Sequence, residues 1–354
     1  MARSPVSPSL PLDADALDDE WATEPTFPPN QLAGPVIREG VVTPDQKGQR
    51  LDAWLVGLAS DFSRSHLKGL IDAGCVRVDG KSADSPSRKV QAGQQVWLEL
   101  RPTAQSQAFV AEPMMLPIVF EDEHLLVVDK AVGMVVHPAA GHWSGTLMNG
   151  LLAHHAGAVN LPRGGIVHRL DKDTSGLMVV GKTLQAVTAL SRAIADRVVK
   201  RQYVALVHGA VADAFSVETS IGRDPASRIK MAVLGSGKPA RTDVRCLGRV
   251  VLDEDHPQGP IRRTYSAVEC TLHTGRTHQI RVHLASRKHP LVADAVYGGA
   301  PALGLTRQAL HAYKLALAHP ISGETLQFES TLPQDLAAAW ACLQMAHQKP
   351  VTGA

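Results

Sequence analysis

Residues 164 to 176 read Gly-Gly-Ile-Val-His-Arg-Leu-Asp-Lys-Asp-Thr-Ser-Gly, and His168, Arg169, Asp171, Lys172 and Asp173 put five charged or titratable side chains into six positions. A run this polar between apolar stretches is either an active site or a salt-bridged loop, since titratable groups crowd together in both. Part of it has a local explanation: Asp173-Thr174-Ser175-Gly176 would make a simple turn, with Asp173 bonding the backbone ahead of it. Asp171 and Asp173 also form a carboxylate pair. Two residues along a strand set Cα atoms roughly 6.6 Å apart with side chains on one face, loosely compatible with paired-carboxylate glycoside hydrolysis.

A second stretch, His273-Thr274-Gly275-Arg276-Thr277-His278-Gln279-Ile280-Arg281-Val282-His283, places glycine in a turn, a cap at Thr277 and then a helix bearing Arg281. Helix starts gather anions because unpaired N–H groups point outward there. His273, His278 and His283 are five apart. On a helix that spacing turns each about 500°, or roughly 140° from the last, so they cannot share one metal face. No metal is expected, and the histidines read as hydrogen-bonding residues that fix local geometry. Cys75, Cys246, Cys270 and Cys342 are too scattered for a zinc knuckle or a disulfide framework. Each reads as a small buried apolar residue.

The elements that must hold these stretches follow from periodicity. Strand signals begin at Ile118-Val119-Phe120 and Leu125-Leu126-Val127-Val128. Residues 176 to 181 read as a strand, and Thr183 caps a helix whose apolar face is Leu184, Val187, Leu190, Ile194 and Val198. Strands are expected at 202–207, 244–246, 265–272 and 326–329, and Leu336, Trp340 and Leu343 stripe a final helix. The reading is a mixed α/β domain over 113–346, preceded by a polar stretch at 102–112.

Ahead of it, residues 48–105 form a separate unit. Arg50-Leu51-Asp52-Ala53-Trp54-Leu55 opens one helix, and Ser63 caps a second that carries Leu67, Leu70 and Ile71. Cys75-Val76-Arg77-Val78 alternates as a strand, Asp79-Gly80 is a hairpin turn, and residues 95–100 are another strand. Arg64 and Lys68 lie one turn apart on the second helix, and Arg77, Lys81, Arg88 and Lys89 extend a basic stripe that could grip phosphates.

Residues 1–42 hold seven prolines and no sustained hydrophobic period, and are expected to be a disordered tail. The first 40 residues carry a net −5, which leaves +7 on the rest of a chain whose formal charge is +2. A basic body permits a polyanionic partner without demonstrating one. The chain has 354 residues, 44% of them hydrophobic, enough for about two domains. It shows no membrane-length apolar run and no basic-then-apolar leader. A cytoplasmic, soluble protein is expected, with no membrane partner and a monomer as the default.

The unit at 48–105 resembles the small RNA-binding domain named after ribosomal protein S4, through Ser63-Arg64-Ser65, Lys68, Leu70-Ile71, Gly74 and Val76-Arg77-Val78-Asp79-Gly80-Lys81. The larger domain resembles the RNA pseudouridine synthases. His168-Arg169-Leu170-Asp171-Lys172-Asp173-Thr174-Ser175-Gly176-Leu177 is similar to the family's catalytic signature. Lys200-Arg201-Gln202-Tyr203 is similar to the segment of its active-site tyrosine, and residues 275–283 to its third motif. Gly133 to Pro138, Asp294 to Gly299 and Leu310-His311-Ala312-Tyr313 also resemble family segments. Two positions depart from the pattern: Ala131 follows Lys130 where proline is expected, and Ala293 precedes Asp294 where glycine is usual.

The resemblance implies an α+β, mixed-sheet catalytic domain that isomerises uridines, here in large-subunit ribosomal RNA, free or in a precursor ribosomal particle. Pseudouridine formation breaks the bond from ribose to a ring nitrogen, turns the base and rejoins it through carbon, so no cofactor is required. Cleavage builds positive charge on the sugar, which a carboxylate stabilises or traps. By resemblance that carboxylate is Asp171, with direct attack on the sugar and removal of a sugar proton both open. An arginine should hold it ionised, Arg281 first and Arg276 second. Tyr203 offers a face for stacking and a hydroxyl near the new bond. The target must be flipped out of folded RNA, where Arg169 could fill the vacated space or grip a phosphate, and His168 belongs to the same RNA-binding set. Two other readings stand beside this one: a hydrolytic glycosylase using Asp171 and Asp173, and a non-catalytic RNA-binding or ribosome-assembly factor on the same fold.

Overall fold

Backbone pairing organises the N-terminal unit more than composition does. In the computed structural model, which describes residues 36–100, 108–139, 142–227, 229–254 and 259–348, Val36–Val41 is strand β1. Composition assigns this segment to the Pro-rich tail. Its register runs antiparallel from Val36 opposite Leu100 to Val41 opposite Gln95. The ladder completes an otherwise open edge. Val36, Ile37 and Val41 remain exposed, so the strand forms for its hydrogen bonds and not for its side chains. Residues 1–35 and 101–107 of the expected tail and linker lie outside the described residues.

Helices α1 (Leu51–Leu58) and α2 (Arg64–Asp72) follow, then β2 (Val76–Val78), β3 (Lys81–Ser82) and β4 (Gln95–Leu100), in a sheet ordered β1-β4-β2-β3. Ser63 Oγ accepts from the His66 N–H as the cap of α2. Asp79 and Gly80 take φ of 52° and 77° in the hairpin, where Asp79 Oδ1 also accepts from the Gln95 N–H. Leu51, Leu55, Leu67, Ile71, Val76 and Leu98 close a core of their own.

Asp52 sits at this core's edge and is buried, between half-exposed Arg50 at 3.0 Å and Arg64 at 3.1 Å. The Arg50 hydrogen bond, helped by Arg64 and opposed by burial, holds its carboxyl down at about 2. A depressed carboxylate contributes stability above its unfolded value near 4 and loses it as pH falls towards 2. Asp52→Asn is therefore expected to destabilise this unit by about 1 kcal/mol at pH 6, after solvent screening of the arginines. The difference should shrink from about pH 4 and close as pH falls through about 2 in acid unfolding followed by tryptophan fluorescence.

The second unit covers residues 111–138 and 145–348. Its elements are β5 (Ile118–Glu121), β6 (Leu125–Lys130), α3 (Leu147–His154), β7 (Ser175–Gly181), α4 (Leu184–Ala195), β8 (Lys200–His208), β9 (Ala214–Arg223), β10 (Met231–Val233), β11 (Lys238–Glu254), β12 (Ile261–Leu272), α5 (Gln279–Ser286), β13 (Leu310–Ala318), β14 (Thr325–Glu329) and α6 (Gln334–Gln348). One mixed sheet runs β10-β9-β11-β12-β8-β13-β7-β6-β5, with β14 on β13; among the described strands only β13 and β7 pair in parallel. Every residue of β7 is buried, as a strand covered on both faces requires.

Apolar layers lie on both faces of the sheet's centre, one built on Leu126, Met178, Tyr203, Val268 and Ile280, the other on Leu125, Val179, Leu190 and Leu315. Thr183 caps α4 as its spacing predicts, its hydroxyl accepting from the Ala186 N–H. Leu184 and Val198, assigned to that helix's apolar face, are instead 60% and 63% exposed, and Val198 lies beyond the helix end. No helix of the described residues is long and apolar enough to cross a membrane.

Candidate active site

Strands β7, β8, β12 and β13 meet at the sheet's centre, and the loop entering β7 carries Asp171. Gly176, at φ 115°, allows the close approach: a Cβ there would stand 2.2 Å from the Ala312 carbonyl oxygen of β13. Only glycine lets this backbone crossing form. The loop before it is held on both sides. Lys130, at the end of β6 and 1% exposed, donates through Nζ to the carbonyls of Ala131, Met134 and Lys172 at 3.0, 2.9 and 3.1 Å. Burial pulls its pKa down to about 8, against the pull of Asp171 and Asp173. Opposite, Arg307 Nη1 donates to the Asp173 carbonyl at 2.9 Å while its other nitrogens hold Asp335.

Asp171 Oδ2 accepts from Arg281 Nη1 at 2.9 Å. Arg281 rises from α5, and its Nε and Nη2 clasp Asp294 at 2.8 and 2.9 Å in a two-pronged pair. Its side chain is 5% exposed and that of Asp294 1%. Burial opposes the arginine's charge and the two carboxylates more than offset it, so its pKa is raised. The guanidinium also lies over the Tyr297 ring at 5.0 Å. Three partners thus fix Arg281, and through it the orientation of Asp171. Arg276, the second choice for this partnership, turns its Nε to the Pro239 carbonyl at 3.3 Å instead.

Helix α5 starts one residue later than the threonine spacing suggests. His278 is its N-cap, in the left-handed region at φ 55°, with no side-chain cap bond. Buried Gln279 does the fixing: its Oε1 accepts from the Arg276 N–H and Thr274 hydroxyl, and its Nε2 donates to the Arg241 carbonyl and Thr242 hydroxyl. Burial lowers the His278 pKa, with Asp171 opposing and Arg281 assisting. Its Nδ1 lies 2.8 Å from the Tyr297 hydroxyl, which also accepts from the Met231 N–H. The other ring nitrogen, Nε2, lies 4.0 Å from Asp171 Oδ1.

These groups open into a cleft of about 1160 Å³ counted out to solvent, whose lining includes Arg169, Asp171, Arg201, Tyr203, Arg276 and Arg281. Asp171 is the only carboxylate among its described lining residues, against six arginines. The cleft attracts polyanions. Asp173, the other half of the supposed carboxylate pair, does not line it: the two residues sit in a turn closed by the Thr174 N–H on the Asp171 carbonyl and not along a strand. Tyr203, 5% exposed, forms an aromatic wall. Burial raises its pKa to about 12, with Asp171 adding to the rise and Arg201 opposing it. At neutral pH it is an uncharged phenol.

His168 also lines the cleft, yet its Nε2 accepts from the Val179 N–H at 3.0 Å and burial, assisted by Arg201, pushes its pKa down to about 3. A neutral ring tied to β7 carries no charge for phosphate. Arg169 is exposed at the mouth. Arg64 and Lys68 lie in the N-terminal unit, both exposed, and Arg64 is engaged with Asp52. Among the described residues no cluster of three or more His, Cys, Asp or Glu is placed to hold a metal. Sequence reasoning assigned no role to Asp294, Tyr297, Lys130 or Arg201. The segment from Asp294 to Gly299 stands out only by its family resemblance, and an arginine two residues before Tyr203 inside an apolar strand is the available signal for Arg201.

Ala293 explains one departure noted above. It is buried at φ 58°, where glycine costs least. Ala293→Gly is expected to stabilise the protein by up to about 1 kcal/mol, the relief of left-handed strain less the added unfolded-state entropy. Chemical denaturation would measure it, and catalysis should change less than about twofold because no contact to Asp294 is lost.

Two family models match the chain: RNA pseudouridylate synthase over residues 124–286 and the S4 domain over residues 49–96. The ribosomal large subunit pseudouridine synthase D of Neisseria meningitidis serogroup B is 49% identical over 313 residues, covering 84% of this chain and 80% of that one. The protein of the same name from Nitrosomonas europaea is 44% identical, over 88% of this chain and 90% of its own. Among solved structures, human RNA pseudouridylate synthase domain containing 1 is 26% identical with a TM-score of 0.49, covering 68% of this chain and 98% of that one.

Proposed function

We propose, from the premise that the chain belongs to the RNA pseudouridylate synthase family, that it converts uridines of large-subunit ribosomal RNA to pseudouridine with Asp171 as the essential carboxylate. The observation that carries the reading is Asp171 as the sole described carboxylate in an arginine-lined cleft, bonded to Arg281 at 2.9 Å. The substrate is taken from the relatives' names and agrees with the S4 domain.

In this reading the target nucleotide leaves the RNA fold and enters the cleft, its backbone met by Arg169 and Arg276. Arg64 and Lys68 add phosphate contacts from the S4 unit, which strengthen binding without choosing a base. The uracil ring stacks on Tyr203, so a detached base keeps its plane while it turns. Asp171 meets the sugar as the glycosidic bond breaks, either by bonding C1′ or by taking the C2′ proton. Arg281 keeps it aimed. Tyr203, a neutral phenol, can take up the C5 proton only while passing on its own.

Large-subunit ribosomal RNA carrying tritium on uracil C5 tests this directly. Tritium should be released without free uracil. Free uracil would indicate a hydrolase, a reading the position of Asp173 outside the cleft disfavours. Release from transfer RNA only would move the substrate, and no release from RNA or precursor particles would leave a binding factor.

A further inference from the structure

Two arginines are buried around this cleft, and they differ in a way that the roles above leave unexplained. Arg281 has every prong of its fork engaged. Arg201, 5% exposed, lines the same cleft, and its Nε has no hydrogen-bond partner. Among the described residues no carboxylate pairs with it. An uncompensated cation this deep is costly and persists where something brought to the site completes it.

The surroundings make room for the guanidinium and orient it. Arg201 and Tyr203 are two residues apart on β8, so they share one face of the strand, with Cα atoms roughly 6.6 Å apart. Their neighbours on β12 are Leu272 and Cys270. Gly275, in the loop that leads to α5, completes the niche: a Cβ there would lie 2.9 Å from Arg201 Nη1. Any larger residue at 275 would push the guanidinium out of place.

We infer that Arg201 is a further catalytic residue, whose guanidinium binds a carbonyl oxygen of the detached uracil and stabilises its negative charge. The inference rests on the proposed isomerisation at Asp171. Breaking C1′–N1 sends the bonding pair to the base, leaving a uracil anion whose charge spreads over N1, O2 and O4. This holds whether Asp171 bonds C1′ or removes the C2′ proton. The same anion then bonds C1′ through C5, the C5 proton leaves and N1 gains one, so no outside reactant is consumed. Tyr203 offers the ring a face and no charge. Arg281 is committed to two carboxylates. Arg201 is the cation beside the stacking wall with donors to spare, and a fixed donor in a water-poor site acts most strongly where charge develops.

Arg201→Gln and Arg201→Lys in the full chain, with Asp171→Asn as control, test this. Single-turnover tritium release and RNA affinity would be measured together, with thermal unfolding to confirm folding. Arg201→Gln should slow release by about 10²- to 10³-fold while the RNA Kd changes less than about threefold, and Arg201→Lys should fall in between. Nucleosides from digested 5-fluorouridine RNA give the second readout. That base is a better anion, so the Arg201 defect in glycosidic cleavage should shrink at least about tenfold.

A defect confined to Kd would mean a phosphate contact instead. Equal defects on both RNAs would mean a scaffold role, and a rate within about threefold of wild type would mean no role; each overturns the inference. If Arg201→Gln does not fold, Arg201→Lys on the two RNAs decides by the same comparison. Loss of the parent reading looks different: the wild type itself would release no tritium, or Asp171→Asn would match it.

Discussion

Asp171→Asn is expected to abolish pseudouridine formation, by on the order of 10⁴-fold or more in single-turnover tritium release, as when an essential nucleophile is removed, while RNA binding is retained. The substitution keeps shape and one acceptor oxygen, so Arg281 can still donate to residue 171 and the fold around it has little reason to move. What disappears is the anionic oxygen, and with it both routes at the sugar. In the proposed reading, binding draws instead on the arginines that line the cleft and on the S4 unit, which the variant leaves untouched. Rate and affinity therefore separate. A variant within about tenfold of wild type would take the carboxylate role away from Asp171 altogether.

The strongly patterned parts of the fold were legible in the sequence. Strands β7 and β8, the Ser63 and Thr183 caps and the Asp79-Gly80 turn all follow from local residue chemistry. The outer sheet was much less so. Strand β9 and most of β11 were not anticipated: β11 spans 17 residues and includes Arg241, Asp243, Arg245 and Arg249. Such strands take their place from partners in the ladder, not from an apolar face of their own. Strand β1 is the same case in the other unit.

The site divides along a similar line. Asp171, Tyr203 and Arg281 come together in the cleft as their motifs suggest. Buried charges without a motif role did not stand out, because a lysine under a loop and a lysine in water have the same letter. Lys130, holding three carbonyls with 1% exposure, and Asp294, clasped by Arg281, acquire meaning only from their surroundings. The cap of α5 is subtler still. Thr277 is the better capping residue by type, but Gln279 already satisfies the loop's donors, and His278 takes the left-handed position.

Arg281→Lys should be the most damaging substitution that conserves charge. An ammonium group is a single point with three donors and cannot reproduce a planar fork that grips Asp294 with two nitrogens and reaches Asp171 with a third. Two losses follow from one change. Asp294, nearly sealed from water, is left underpaired, and breaking a buried pair of this kind costs about 3–5 kcal/mol when a partner is removed, of which retained charge recovers a part. Asp171 meanwhile loses its orienting bond, which should slow single-turnover tritium release by about 10²- to 10³-fold at saturating RNA. Asp294→Asn separates the effects. It keeps an acceptor for the fork and leaves the Arg281–Asp171 bond in place, so stability should fall more than rate does. If Asp294→Asn slowed the reaction as much as Arg281→Lys at equal RNA affinity, Arg281 would act through Asp294 and not through its bond to Asp171. An Arg281→Lys enzyme with unchanged rate would show that the 2.9 Å contact holds the loop's shape alone.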